Sequence, residues 1–338
     1  MEDKNFKGHL AMLGANITFG LLSPVSKTLL NSGIFNAYSL TMARMFGAAV
    51  AFWIASLFIP KETVPPKDMV LLFFASLLGI VINQGCFLTG VSLTSPIDAS
   101  IVATTTPIIT MIIAALYLKE PITGKKVIGI FIGAAGALLL ILSGQHIATA
   151  GNNNVSGDIF CLLAQTSFAC YYVFFKKLIA RYHPITLMKW MFIYASICCV
   201  PFAYSDVATI PFTNIPGEFY LDLAFVVFGA TFFAYLLIPI GQKHLRPTVA
   251  SMYNYVQPIV ASLITVWLGM DTFGFTKTLA ILLVFTGVYI VTRSKSKAQM
   301  DAETKKVPCK SQFTGHYRQV FFYFNLDINR SLSTTNRT

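Results

Sequence analysis

Apolar residues in this chain fall into ten runs separated by short polar connections, at 9–30, 37–59, 69–91, 97–118, 126–143, 157–178, 186–204, 219–241, 248–269 and 276–293. A helix needs roughly 20 apolar residues to cross the hydrocarbon core of a bilayer. The pattern therefore predicts an all-α polytopic membrane protein with ten transmembrane helices. Lys4 and Lys7 precede the first run, as basic residues precede a secretory signal. That run is too long and lacks a small-residue cleavage pattern, so it reads as a retained helix.

Basic residues occupy every second connection. Lys4 and Lys7, Lys61 and Lys67, Lys119 and Lys125, Lys176, Lys177 and Arg181, Lys243 and Arg246, then Arg293, Lys295 and Lys297 form one set. The connections between them, "NSGIFN", "VSLTS", "GQHIATAGNNNVS", residues 205–218 and "MDTFGF", carry none. By the positive-inside rule both termini are cytoplasmic. The regularity also supports the span count, because one missed helix would invert every later loop.

Composition narrows the class further. Of 338 residues 55% are apolar and 12% charged, a balance that a soluble globular chain could not keep in solution. The net charge of +11 lies in clusters between apolar runs and in the tail, which fits loops beside a lipid bilayer and not a nucleic-acid partner. Cys86, Cys161, Cys170, Cys198 and Cys199 sit in apolar runs and Cys309 in the tail. With neither a disulfide framework nor a metal-ligand spacing, they read as small buried apolar groups.

An internal repeat organises the spans. The segment "ASIVATTTP" at 99–107 has a counterpart, "ASMYNYVQP", at 250–258. A shift of 151 residues superposes Gly90 on Gly241, Pro96 on Pro247, Pro107 on Pro258, Glu120 on Asp271 and Gly136 on Gly287; a shift of 149 superposes Gly8 on Gly157, Asn16 on Gln165 and Lys27 on Lys176. Five spans per copy is an odd number, so the second copy must enter the membrane from the opposite side. Inverted repeats of this kind characterise secondary transporters, whose two halves exchange conformations around a site near the midplane. Pro107 and Pro258 fall near the centres of spans four and nine, where each removes a backbone donor and frees a carbonyl. Such groups need partners in lipid, and Thr104, Thr105, Thr106, Asn254 and Gln257 are the nearest. The prolines then serve either as gating kinks beside a ligand or as packing kinks alone.

The segment "SPIDASIVATTTPIITMIIAALYLKEP", with its mid-helix proline and closing Glu120-Pro121, resembles the drug/metabolite transporter superfamily, and within it the EamA-like family. The resemblance covers residues 8–293 and implies two inverted five-helix repeats, here 8–144 and 155–294, with 295–338 left as a basic cytoplasmic tail. It also implies export or exchange of small metabolites such as amino acids across a bacterial inner membrane. The second copy departs from the pattern, with Asp271-Thr272 in place of Glu-Pro.

Polar side chains inside the spans are the candidate solute contacts. Asn16, Gly20, Ser23 and Lys27 share one face of span one, and Gln165, Ala169, Tyr172 and Lys176 the matched face of span six. They form either cavity walls or helix-to-helix glue. Arg44 lies about seven residues into span two, where a charge costs about 2.5–3.5 kcal/mol. It can snorkel, pair with Asp98 at the outer start of span four, or hold a substrate carboxylate or phosphate. Lys27 is nearer the interface, where snorkelling competes with a gating role. Asn83, Gln84, Tyr235, Asn254 and Gln257 add uncharged partners, suited to a small zwitterionic or aromatic solute. Glu120 and Asp271 read as solvated loop charges.

A membrane-embedded enzyme would need converging His, Asp, Ser or Cys at catalytic depth; the five histidines are scattered, and neither HExxH nor G-x-S-x-G occurs. No P-loop or other cofactor motif is visible. A non-transporting scaffold would not call for matched polar stripes. The expectation is a secondary transporter for a small-molecule solute, without metal or cofactor.

Overall fold

The computed structural model describes residues 2–93, 102–143, 155–208, 216–267 and 274–294. Asp98, Asp271 and the tail lie outside these residues, as do the side chains of Ser23 and Lys27. The described elements are helices: Glu2–Asn31, Ala37–Ala55, Thr106–Tyr117, Gly124–Ser143, Val155–Phe174, Lys176–Arg181, Pro184–Ala208 and Phe275–Thr292, together with three composite rods. Pro66–Ser76, Leu77–Ile82 and Asn83–Leu93 run on without a break, as do Gly217–Ala224, Phe225–Phe233 and Ala234–His244. Pro247–Met252, Tyr253–Tyr255 and Val256–Trp267 form the third.

Among the described residues six helices are long and apolar enough to cross a membrane, and Thr106–Tyr117 is a shorter apolar one. Their outer faces are apolar too. Phe58 is 84% exposed, Leu116 77%, Leu221 76% and Phe275 83%, a surface that water would not leave uncovered but acyl chains solvate. The interior is filled by Met12, Phe52, Leu72, Ile130, Tyr171, Phe192 and Tyr255.

The broadest helix contacts join the first half of the chain to the second. Gly124–Ser143 packs on Phe275–Thr292, Ala37–Ala55 on Pro184–Ala208, Asn83–Leu93 on Val155–Phe174, and Glu2–Asn31 on Ala234–His244. Small residues permit the closest crossings: a Cβ on Gly90 would lie 2.4 Å from Cys161 Sγ, and one on Gly241 2.4 Å from Met12 Sδ. These two glycines superpose in the repeat, and each crosses the helix that begins the other half.

Backbone irregularities recur in the same register. Leu77–Ile82 and Phe225–Phe233 are wound as π-helix, and the 151-residue shift carries 77–82 onto 228–233. Freed carbonyls find hydroxyls: Ser167 Oγ donates to Leu78 O at 2.7 Å and Thr231 Oγ1 to Val226 O at 2.7 Å. π-Turns of this kind accompany functional sites in helices.

The prolines restart helices more than they bend them. Pro107 stands at the first turn of Thr106–Tyr117, where its missing N–H costs nothing, and Pro258 stands in the first turn of Val256–Trp267, behind the tight turn Tyr253–Tyr255. Thr106 Oγ1, 2.8 Å from Ala103 O, serves the carbonyl that Pro107 frees, and Thr105 Oγ1 donates to Val102 O at 2.7 Å. Thr104 contributes its own carbonyl, which accepts from Tyr255 OH at 3.1 Å.

Candidate functional site

Arg44 comes from the helix Ala37–Ala55 and is 8% exposed. Its Nε donates to Thr231 Oγ1 at 3.0 Å and its Nη1 to Gln84 Oε1 at 3.2 Å. Gln84 Nε2 in turn donates to Tyr235 OH at 2.8 Å. The π-turn explains the first of these bonds. Because the Thr231 proton is committed to Val226 O, its oxygen is left to accept from the guanidinium. Nη2 is buried with no hydrogen-bond partner among the described residues. The snorkelling expected as one option for Arg44 therefore does not occur. Aromatic rings close around Tyr235: Phe19 at 5.6 Å and Phe192 at 5.1 Å between centroids, both edge-on.

Two further polar pairs tie the halves together. Gln257 Nε2 donates to Asn16 Oδ1 at 2.9 Å, while Asn16 Nδ2 donates to Met12 O at 2.8 Å. Thr106 Oγ1 lies 2.7 Å from Gln165 Oε1, its single proton shared between that oxygen and Ala103 O. Asn16 and Gln165 differ by 165 − 16 = 149 and Thr106 and Gln257 by 257 − 106 = 151, so each bond is the counterpart of the other. Gln257 thus reaches Asn16 and does not serve the gap left by Pro258. Asn83 Nδ2 donates to Ala164 O at 3.0 Å. Asn254 is half-buried. Tyr172 departs from the polar face expected of it: 2% exposed, it packs on Phe168 at 4.6 Å between centroids, as part of the aromatic core.

Some of the lysine-bearing connections touch one another. Asp68, buried, accepts from both Arg181 and Tyr182 across the halves. That contact raises the Arg181 guanidinium above its ordinary value, while burial and then the Asp68 bond raise the Tyr182 phenol. Glu62 accepts from His183 N at 2.9 Å, and His9 Nδ1 lies 2.7 Å from Tyr253 OH. Glu120 is not the solvated loop charge expected of it. It pairs with Lys126 at 2.9 Å, the two side chains 11% and 1% exposed, and Lys176 and Arg246 lie within reach of its charge. Burial pulls the Arg246 guanidinium down, and Glu120 opposes the shift. A charge that looked terminal is thus met by cations from other segments.

Thr231 and the Asp68, Arg181, Tyr182 cluster are absent from the sequence reading. Thr231 has no polar equivalent, since 231 − 151 = 80 is Ile80, and a lone threonine in an apolar run gives no signal. The charged cluster brings together residues more than a hundred positions apart.

The sequence profile of the EamA-like transporter family matches residues 6–142 and again 155–293. Among curated proteins, YyaM of Bacillus subtilis, an uncharacterized transporter, is 24% identical over 305 residues, 88% of this chain and 99% of its own. A WAT1-related protein of Arabidopsis thaliana, At1g43650, is 23% identical over 323 residues, 87% of this chain and 92% of its own. A solved crystal structure has the same fold, with a TM-score of 0.69 at 16% identity over 86% of this chain and 97% of that one. With the apolar helices already described, these matches make the protein a multi-pass membrane protein. Because the profile fits twice and spans most of its length, the chain belongs to the EamA-like transporter family.

Proposed function

We propose that the protein is a secondary transporter that exports or exchanges a small metabolite by alternating access, and not a membrane-embedded enzyme or scaffold. Ten spans form two inverted five-helix repeats, 8–144 and 155–294, with both termini on the cytoplasmic side of the cell membrane. One observation carries this reading: Gln84 bonds Tyr235, and Tyr255 bonds Thr104, each across 151 positions. That is the repeat interval. A hydrogen bond between equivalent residues is what results when a two-fold axis passes between them, and it supports a site around Arg44, Gln84 and Tyr235 between the halves. Carriers built from inverted repeats place their solute at that junction.

The Asn16–Gln257 and Gln165–Thr106 pairs flank the axis as interchangeable struts. At the lysine-bearing end, the Asp68, Arg181 and Tyr182 contacts act as a gate that closes the cytoplasmic side. Asp68→Asn is expected to raise amide hydrogen exchange in residues 62–69 and 181–187 by roughly fivefold or more, because a charged acceptor shared by two donors is lost. Unchanged exchange there removes the gate.

Solute counterflow in proteoliposomes tests the function itself. Preloaded solute should exchange with labelled solute outside, and Gln257→Ala should slow exchange by roughly fivefold, since one buried hydrogen bond between the halves is lost. Vesicles that exchange nothing from a cell metabolite extract would end the transporter reading.

A further inference from the structure

Arg44 is a buried cation whose charge is unanswered among the described residues. Two donors of its guanidinium are held, Nε by Thr231 and Nη1 by Gln84, from opposite halves of the chain. This fixes the plane of the group. Nη2 is buried and without a partner, and neither ion pair among the described residues, Glu120 with Lys126 or Asp68 with Arg181, includes Arg44. The carboxylates whose side chains are described, Glu62, Asp68, Glu120, Asp158 and Asp222, all stand near helix ends or in connections.

An arginine cannot shed its proton to escape this position. It needs an anion, and a guanidinium held in one plane with Nη2 unpartnered offers its remaining N–H groups to a planar oxyanion. An ammonium group in the same place would meet a cation and, among the described residues, no carboxylate. The apolar surroundings supplied by Phe19, Phe192 and Tyr235 suit a carbon skeleton and not a second charge.

The arrangement also breaks the repeat. Positions equivalent to Arg44 are Ile193 and Ala195, from 44 + 149 and 44 + 151, and Thr231 corresponds to Ile80. The symmetric pairs Asn16–Gln257 and Gln165–Thr106 serve the movement of the halves. The asymmetric pair is free to serve the solute.

Resting on the transporter reading above, we propose that the solute is a carboxylate of net negative charge, bound through its carboxyl group to Arg44, and that zwitterionic amino acids and cations are poor substrates. This narrows the zwitterionic or aromatic solute that the uncharged groups alone point to.

The test uses the full-length protein in liposomes loaded with a cell metabolite extract, with efflux sorted by the net charge of each released solute at neutral pH. Release confined to net-negative carboxylates, reduced roughly tenfold or more in Arg44→Gln and partly kept in Arg44→Lys, bears the proposal out. Release of zwitterions or cations overturns it and leaves the transporter reading standing. Release of nothing overturns both. A matched probe set refines the answer: 3-phenylpropanoate, phenylalanine and 2-phenylethylamine share one skeleton and differ in charge. The first alone should raise the unfolding temperature of the purified wild-type protein, and it should not do so in Arg44→Gln; equal shifts for all three overturn the proposal. Asp98→Asn tests the rival. A loss of efflux equal to that of Arg44→Gln would make the arginine half of a structural ion pair and overturn the proposal.

Discussion

Glu120→Gln is expected to destabilise the protein by about 3 kcal/mol, because it leaves a buried ammonium without its counter-ion. Lys126 is 1% exposed and its ion-pair partner is Glu120. Lys176 and Arg246 add two further cations within range of the same carboxylate. The pair need not be strongly stabilising as built, since desolvation opposes the attraction, but removing one member leaves the whole penalty uncovered. Equilibrium unfolding in mixed micelles should show the loss. The double variant Glu120→Gln with Lys126→Met should recover part of it and not all, because Lys176 and Arg246 remain. A single variant that unfolds like the wild type would show the pair to be solvated in practice.

Arg44→Met should remove transport with little change in stability. Placing an arginine within the hydrocarbon depth costs about 2.5–3.5 kcal/mol, and its unpartnered Nη2 about 1–3 kcal/mol more. Its two hydrogen bonds, made by a charged donor, return about 1.5–3 kcal/mol each, so the opposing terms nearly cancel. Methionine fills a similar volume without the charge, and Thr231 keeps its bond to Val226 O. The variant is therefore expected to unfold close to the wild-type denaturant concentration and to transport at roughly a tenth of its rate or less. Loss of transport without loss of fold marks a group retained for function. If Arg44→Met destabilises the protein and transport falls only in proportion to folded material, the arginine is structural.

Much of the fold is legible before any coordinates. Runs at 37–59, 186–204 and 276–293 correspond to helices Ala37–Ala55, Pro184–Ala208 and Phe275–Thr292, because the cost of an unsatisfied backbone in lipid leaves few alternatives to a helix. The repeat interval also shows in the residue pattern, since glycines and prolines answer backbone demands that each copy must meet. Legibility fails at Glu120 and Asp68. Their positions near span ends look solvated, and only contacts with Lys126, and with Arg181 and Tyr182, cover them. It fails at Tyr172 as well, where helical spacing alone cannot tell a polar lining from an aromatic core.

The amino-acid order by itself determined the membrane class, the family and the 151-residue interval between matching positions, because hydropathy and backbone chemistry act locally and along the chain. The tertiary structure decided which polar groups meet: Gln84 with Tyr235, Gln257 with Asn16, Arg44 with Thr231. Those contacts join positions 151 to 241 residues apart. They depend on how two halves pack and where a π-turn presents one hydroxyl, and no local propensity encodes either.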